Sequence, residues 1–145
     1  MDRLQRLFSL SGRSSRLDYW RVQRDLTLAA AIVLCLTVLA TQLGGWLGGA
    51  PFLLLGPIQV AGVCVAVRRL HDRNRRGGWL LVFWLAPYAL IATASALSSG
   101  HGGWGLLASP LMSLAGLFLY AWGWIELGFR RGARGFNAFG APSPT

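Results

Sequence analysis

The groups able to do chemistry in this 145-residue chain fall into three short segments. The first reads Gly12-Arg13-Ser14-Ser15-Arg16-Leu17-Asp18-Tyr19-Trp20, and the second Arg68-Arg69-Leu70-His71-Asp72-Arg73-Asn74-Arg75-Arg76. The third reads Arg130-Arg131-Gly132-Ala133-Arg134-Gly135-Phe136-Asn137. A guanidinium is a planar fork of donors that matches carboxylate and phosphate oxygens. Arg13, Arg16, Arg68, Arg69, His71, Asp72, Arg75 and Asn137 are therefore the candidate set for one polar cluster. Such a cluster either locks the segments together through Arg–Asp pairs or holds a phosphate. A catalytic reading is weaker. On a helix His71 and Asp72 point about 100° apart, and no second titratable partner stands at a telling spacing. The other histidine, His101, belongs to the opposite side of the membrane in the topology below, so no metal-ligand set forms. The expectation is a protein that is not an enzyme, with no cofactor, metal or catalytic residue.

The elements that position these segments follow from where charge is missing. No Asp, Glu, Lys or Arg occurs in the 42 residues from Leu26 to Val67, nor in the 49 from Gly77 to Ile125. The chain is 54% hydrophobic and only 13% charged, too little polar surface for a soluble domain. A bilayer core takes about 20 helical residues, so each run is long enough for two crossings. Turn signals divide them at Gly44-Gly45-Trp46-Leu47-Gly48-Gly49-Ala50-Pro51 and at Ser98-Ser99-Gly100-His101-Gly102-Gly103-Trp104-Gly105. The reading is an all-α membrane protein, a single domain over 1–145. Two hairpins supply four transmembrane helices near 26–43, 51–67, 79–97 and 106–128. Helix is the form that pairs every backbone group inside hydrocarbon.

All fourteen basic residues are arginines: six before the first span, five between the second and third, three after the fourth. The intervening turns carry none, so the positive-inside rule puts both termini in the cytoplasm. Residues 1–25 read as an interfacial segment with a short helix whose Leu4, Leu7 and Phe8 lie on the bilayer, and 129–145 as a cytoplasmic tail. A cleaved signal peptide is not expected, because the region before the first span is long and holds Asp18 and Asp25. Ser15-x-x-Asp18 has the form of a capping box, which starts a helix running toward the membrane.

Inside the spans, Gly62/Ala66 and Ala92/Ala96 are small pairs suited to close helix approach. Pro57 and Pro87 read as interruptions, and Gln59 as a single interhelical hydrogen bond in preference to a midplane transport site. Glu126 pairs with Arg130, one turn on. Cys35 and Cys64 read as apolar filler, and Trp79 and Trp124 as interfacial anchors.

The three segments together resemble a bacterial inner-membrane family, domain of unknown function 805. The resemblance rests on Phe8, Gly12, Arg13, Arg16, Tyr19 and Trp20; then on Arg68 to Asp72, Gly77 and Trp79; then on Gly132, Gly135, Asn137, Phe139 and Gly140. Arg76, Gly78 and Ala141 depart from that pattern. The resemblance implies a small multi-span inner-membrane protein and brings no activity with it. Physically, arginines near an anionic leaflet gain about 1 kcal/mol each. The favoured function is a structural or binding module whose cytoplasmic cluster contacts anionic phospholipid headgroups or a membrane-protein partner, including a second copy. An oligomeric transporter or channel is the alternative, and an enzyme acting on phosphate-bearing substrates follows behind it. Nucleic acid is not an expected partner, because the membrane already accounts for the arginines.

Overall fold

Four stretches are long and apolar enough to cross a membrane: Arg16–Gln42, Gly49–Asp72, Leu81–Ser98 and Leu107–Phe129. The computed structural model describes residues 3–42, 46–98 and 103–141. In chain order the helices are α1 (Arg3–Leu7), α2 (Arg16–Gln42), α3 (Leu55–Asp72), α4 (Ala86–Ser98) and α5 (Gly103–Trp124). A 3₁₀ stretch, Trp46–Leu54, leads into α3, while π-helical turns at Leu81–Leu85 and Ile125–Phe129 precede α4 and follow α5. Among the described residues no strand forms beyond one isolated bridge, Asn137 to Gly140.

The four expected spans are present, with different ends. α2 begins at Arg16, ten residues before the charge-free run, because the cap at Ser15 starts it outside the bilayer. The Asp18 amide donates to Ser15 Oγ at 3.2 Å, as the capping box requires. The reciprocal bond is replaced: the Asp18 carboxylate accepts from Ser14 Oγ at 2.8 Å. The expected turns at Gly44-Gly45 and around His101 lie outside the described residues.

The prolines do not interrupt helices in the expected way. Pro57 is the third residue of α3, just past its junction with the 3₁₀ stretch, where the hydrogen-bond ladder changes period. Pro87 follows the π turn, whose wider ring carries the Ala86 amide to the Leu81 carbonyl. The missing N–H of Pro87 thus falls where the ladder changes period. Pro110, by contrast, lies inside α5.

α2 packs on α3 and its 3₁₀ lead-in, and α4 packs on α5. The second hairpin closes through glycines of α5 rather than through Ala92 and Ala96, both of which are exposed. A Cβ at Gly123 would stand 2.8 Å from that of Phe83. Gly62 and Ala66 do face another element, and a Cβ at Gly62 would meet the Trp84 ring at 3.7 Å. The two hairpins join where Ile125–Phe129 packs on α2 and α3. That junction is the arginine-bearing end, and the core lies there: Ala66, Leu70, Leu80, Phe83 and Leu127, with Tyr19 and Trp122 against them. Cys35 and Cys64 are free thiols.

Candidate functional site

At the last residue of α3, Asp72 gathers the three polar segments. Its Oδ1 accepts from Arg13 Nε at 3.0 Å, and Oδ2 accepts from Arg69 Nη1 at 2.6 Å. Both ion pairs are removed from solvent, with the Arg13, Arg69 and Asp72 side chains 2%, 0% and 4% exposed. Buried charges persist only when their remaining donors and acceptors are also satisfied, and backbone carbonyls complete the set. Arg69 donates to the carbonyls of Leu127 and Ser14 at 2.8 and 3.3 Å, and to that of Arg130. Arg13 reaches the carbonyls of Ala133 and Gly135 at 2.6 and 2.7 Å and that of Gly140 at 3.2 Å. Two backbone bonds run alongside: Ser14 N–H to the Arg68 carbonyl at 3.2 Å, and Ala133 N–H to the Asp72 carbonyl at 2.8 Å.

Residues 130–140 form a strap laid across the end of α3. Gly132 is where the strap passes closest, since a Cβ there would fall on the Asp72 carboxylate. Asn137 ties the strap down: its Nδ2 donates to the His71 carbonyl at 2.8 Å, and its Oδ1 accepts from Phe139 N–H at 2.9 Å. That turn, closed by paired backbone bonds between Asn137 and Gly140, needs the left-handed φ of +116° at Gly140. It sets Phe139 flat against the His71 ring, centroids 3.9 Å apart and planes 4° from parallel. His71 Nδ1 faces the Gly12 carbonyl at 3.3 Å.

A second ion cluster surrounds Glu126, which is fully buried in the π turn. Arg130 Nη1 lies 2.8 Å from its carboxylate, the expected one-turn pair. Arg73 Nη2 and Arg75 Nε join it at 3.0 and 3.3 Å. Burial lowers the Arg73 guanidinium from its ordinary value, and Glu126 acts in the opposite direction. Arg75 also covers the Trp79 ring at 4.4 Å.

Of the candidate residues, Arg13, Arg69, His71, Asp72 and Asn137 thus meet in one knot, with Arg75 in the neighbouring Glu126 cluster. Arg68 is buried, its carbonyl serves Ser14, and its Nε has no hydrogen-bond partner among the described residues. Arg16 is exposed and touches the Phe129 carbonyl at 3.4 Å.

A cleft of about 420 Å³ opens beside the knot. Arg13, Arg16, Arg69, Arg131 and Arg134 line it, with Asp72 as the one acid. Arg13 and Arg69 already share that carboxylate. Arg16, Arg131 and Arg134 have no carboxylate partner among the described residues, so the cleft carries uncompensated positive charge. Sequence reasoning missed Arg131 and Arg134, which read there as topology signals. Their position around Gly132, the closest-approach glycine, was the available clue. Among the described residues no group of three or more His, Cys, Asp or Glu could hold a metal.

The family model described as Protein of unknown function (DUF805) matches residues 7–141. The chain is 32% identical over 106 residues to Inner membrane protein YhaI of Escherichia coli K12, covering 69% of this chain and 87% of the relative. The same figures hold for Inner membrane protein YhaI of Escherichia coli O157:H7. No solved structure matches the chain. The chain belongs to the DUF805 family, and with its four apolar helices it is a multi-pass bacterial inner-membrane protein.

Proposed function

We propose that this DUF805 protein is a lipid-binding module, not an enzyme, whose arginine-bearing end faces the cytoplasm. The cleft beside Asp72 holds the phosphate of an anionic phospholipid headgroup. The knot of Arg13, Arg69, Asp72 and Asn137 is the frame, and Arg16, Arg131 and Arg134 are the ligand-facing donors. One observation carries the reading: five guanidiniums line the cleft against a single carboxylate that is already doubly paired. Supporting it, the cleft adjoins the ends of two spans, where headgroup phosphates lie, and a guanidinium fork suits phosphate oxygens. His71 has one face covered by Phe139 and its Nδ1 against a carbonyl, a poor arrangement for proton transfer. The arginine asymmetry supports cytoplasmic termini.

Native mass spectrometry from mild detergent tests the reading. The wild type retains phosphatidylglycerol, and the triple variant Arg16→Gln/Arg131→Gln/Arg134→Gln loses most of it. Equal retention in both would overturn the proposal. The same spectra report copy number.

A further inference from the structure

Glu126 does not satisfy the three arginines gathered on it. Its Oε2 accepts from Arg130 Nη1 at 2.8 Å. Arg73 Nη2 and Arg75 Nε stand 3.0 and 3.3 Å from Oε1. That oxygen nevertheless has no hydrogen-bond partner among the described residues, so charge alone holds the two guanidiniums there. Arg73 Nε and Arg75 Nη1 are likewise buried without an acceptor. The cluster thus carries three positive charges against one negative, with donors unused. The neighbouring acid does not balance it, since Asp72 is shared by Arg13 and Arg69.

The arrangement is set in advance. The left-handed turn at Asn74 brings Arg73 and Arg75 to the same acid, and the Trp79 ring steadies the Arg75 guanidinium. The Arg75 and Arg130 side chains are 27% and 54% exposed, so an anion can reach them. The carboxylate inside the cluster repels such an anion, which makes it a weak site for a lone phosphate. A weak site counts for far more when its ligand is tethered to a strong one, because the second contact forms at a high effective concentration.

The arginine cleft adjoins the cluster. Arg16, which lines the cleft, touches the Phe129 carbonyl at 3.4 Å, and Arg69 donates to the carbonyl of Arg130. The backbone at Arg130 is extended, with φ −71° and ψ 143°, and successive side chains of an extended chain point to opposite sides. Arg130 accordingly turns to Glu126, and Arg131 lines the cleft.

We propose that the Glu126 cluster is a second phosphate subsite. The lipid held at this end carries two phosphates in one headgroup, as diphosphatidylglycerol does, one in the cleft and one on Arg73, Arg75 and Arg130. This rests on the reading of the cleft as a lipid-phosphate site. A phosphodiester has one negative charge, so phosphatidylglycerol leaves the cluster's surplus unmet. The strap backbone runs between the two subsites, which calls for phosphates separated by a linker such as glycerol rather than joined directly. Basic pockets at the cytoplasmic side of membrane helices take headgroups of this kind.

The test uses the full chain in mild detergent. Native mass spectrometry follows titration with diphosphatidylglycerol, and separately with phosphatidylglycerol at twice the concentration, so that phosphate is matched. The wild type binds diphosphatidylglycerol about tenfold more tightly, the worth of one added charge-assisted contact. Arg75→Gln leaves Arg73 and Arg130 on Glu126, so its unfolding midpoint without lipid stays near that of the wild type. It binds phosphatidylglycerol as the wild type does and loses the preference for the two-phosphate lipid. Arg73→Gln, an independent second variant, loses it too. Equal affinities in a wild type that still binds phosphatidylglycerol would overturn this inference alone, whereas binding of neither lipid would overturn the cleft reading with it. A preference that survives both variants would also overturn it, as would an Arg75→Gln that loses both lipids together, which would make Arg75 part of the frame.

Discussion

The arginine-bearing end and the membrane spans of this protein are held together by different means. At the arginine-bearing end, charged side chains are buried and tied to each other and to carbonyls of three separated segments. Along the spans, large apolar side chains such as Val38, Leu39, Leu53 and Leu111 are more than half exposed. Farther from the knot the buried apolar side chains thin out to Val33 and Ala94. The difference follows from the solvent. Lipid is as apolar as leucine, so helices in it gain little by covering one another. Segments that emerge toward water have no such indifferent surroundings, and they are ordered by specific polar bonds. Most of the fold's specificity is therefore at one end.

That contrast can be broken or sharpened by substitution. The largest effect is expected at Asp72. Asp72→Leu leaves the buried Arg13 and Arg69 guanidiniums without a carboxylate, which costs about 3–5 kcal/mol, seen as a large drop in the thermal unfolding midpoint in detergent. A midpoint near wild type would mean that the knot is not what holds this end. An intermediate effect is expected at the strap. Gly132→Ala places a methyl on the Asp72 carboxylate, and overpacking of this kind costs about 1–3 kcal/mol. It should raise susceptibility of residues 130–140 to proteolysis, whereas an unchanged cleavage rate would show that the close approach is unimportant. The smallest effect belongs to the spans. Leu39→Ala, at a lipid-facing position, should change stability by no more than about 0.5 kcal/mol, and a change as large as that of Gly132→Ala would point to a protein contact there.

The spans and the membership of the knot were legible in the sequence; the pairing within the polar end was less so. Charge cannot be hidden in hydrocarbon, so two charge-free runs and their turn signals define four crossings. The start of α2 at Arg16 was legible too, in the Ser15-x-x-Asp18 capping box, from which the helix runs past the bilayer surface into the first charge-free stretch. Arg13, Arg69 and Asp72 were readable as a group, since a lone acid among arginines must find partners. Arg75 was read into the same cluster and pairs instead with Glu126. Asn74 takes a left-handed φ of +56° just after α3, and Arg73 and Arg75 on either side of it reach Glu126, 50 residues or more along the chain. Spacing along a chain reports neighbours on one helix, as it did for Glu126 and Arg130. It does not report partners supplied by another. Arg131 and Arg134 were obscured for a related reason, because an arginine that lines a cleft and one that merely fixes topology look alike in sequence.

Two variants measured side by side bear most directly on the division between frame and cleft. Thermal unfolding of the wild type, Asp72→Leu and the triple variant Arg16→Gln/Arg131→Gln/Arg134→Gln should be recorded without lipid, with phosphatidylglycerol, and with inorganic phosphate. The triple variant should unfold at the wild-type temperature without lipid and gain nothing from phosphatidylglycerol, which raises the wild type, while inorganic phosphate raises neither. Asp72→Leu should begin far lower. A triple variant already as unstable as Asp72→Leu without lipid, or one that phosphatidylglycerol still stabilises as it does the wild type, would contradict the account.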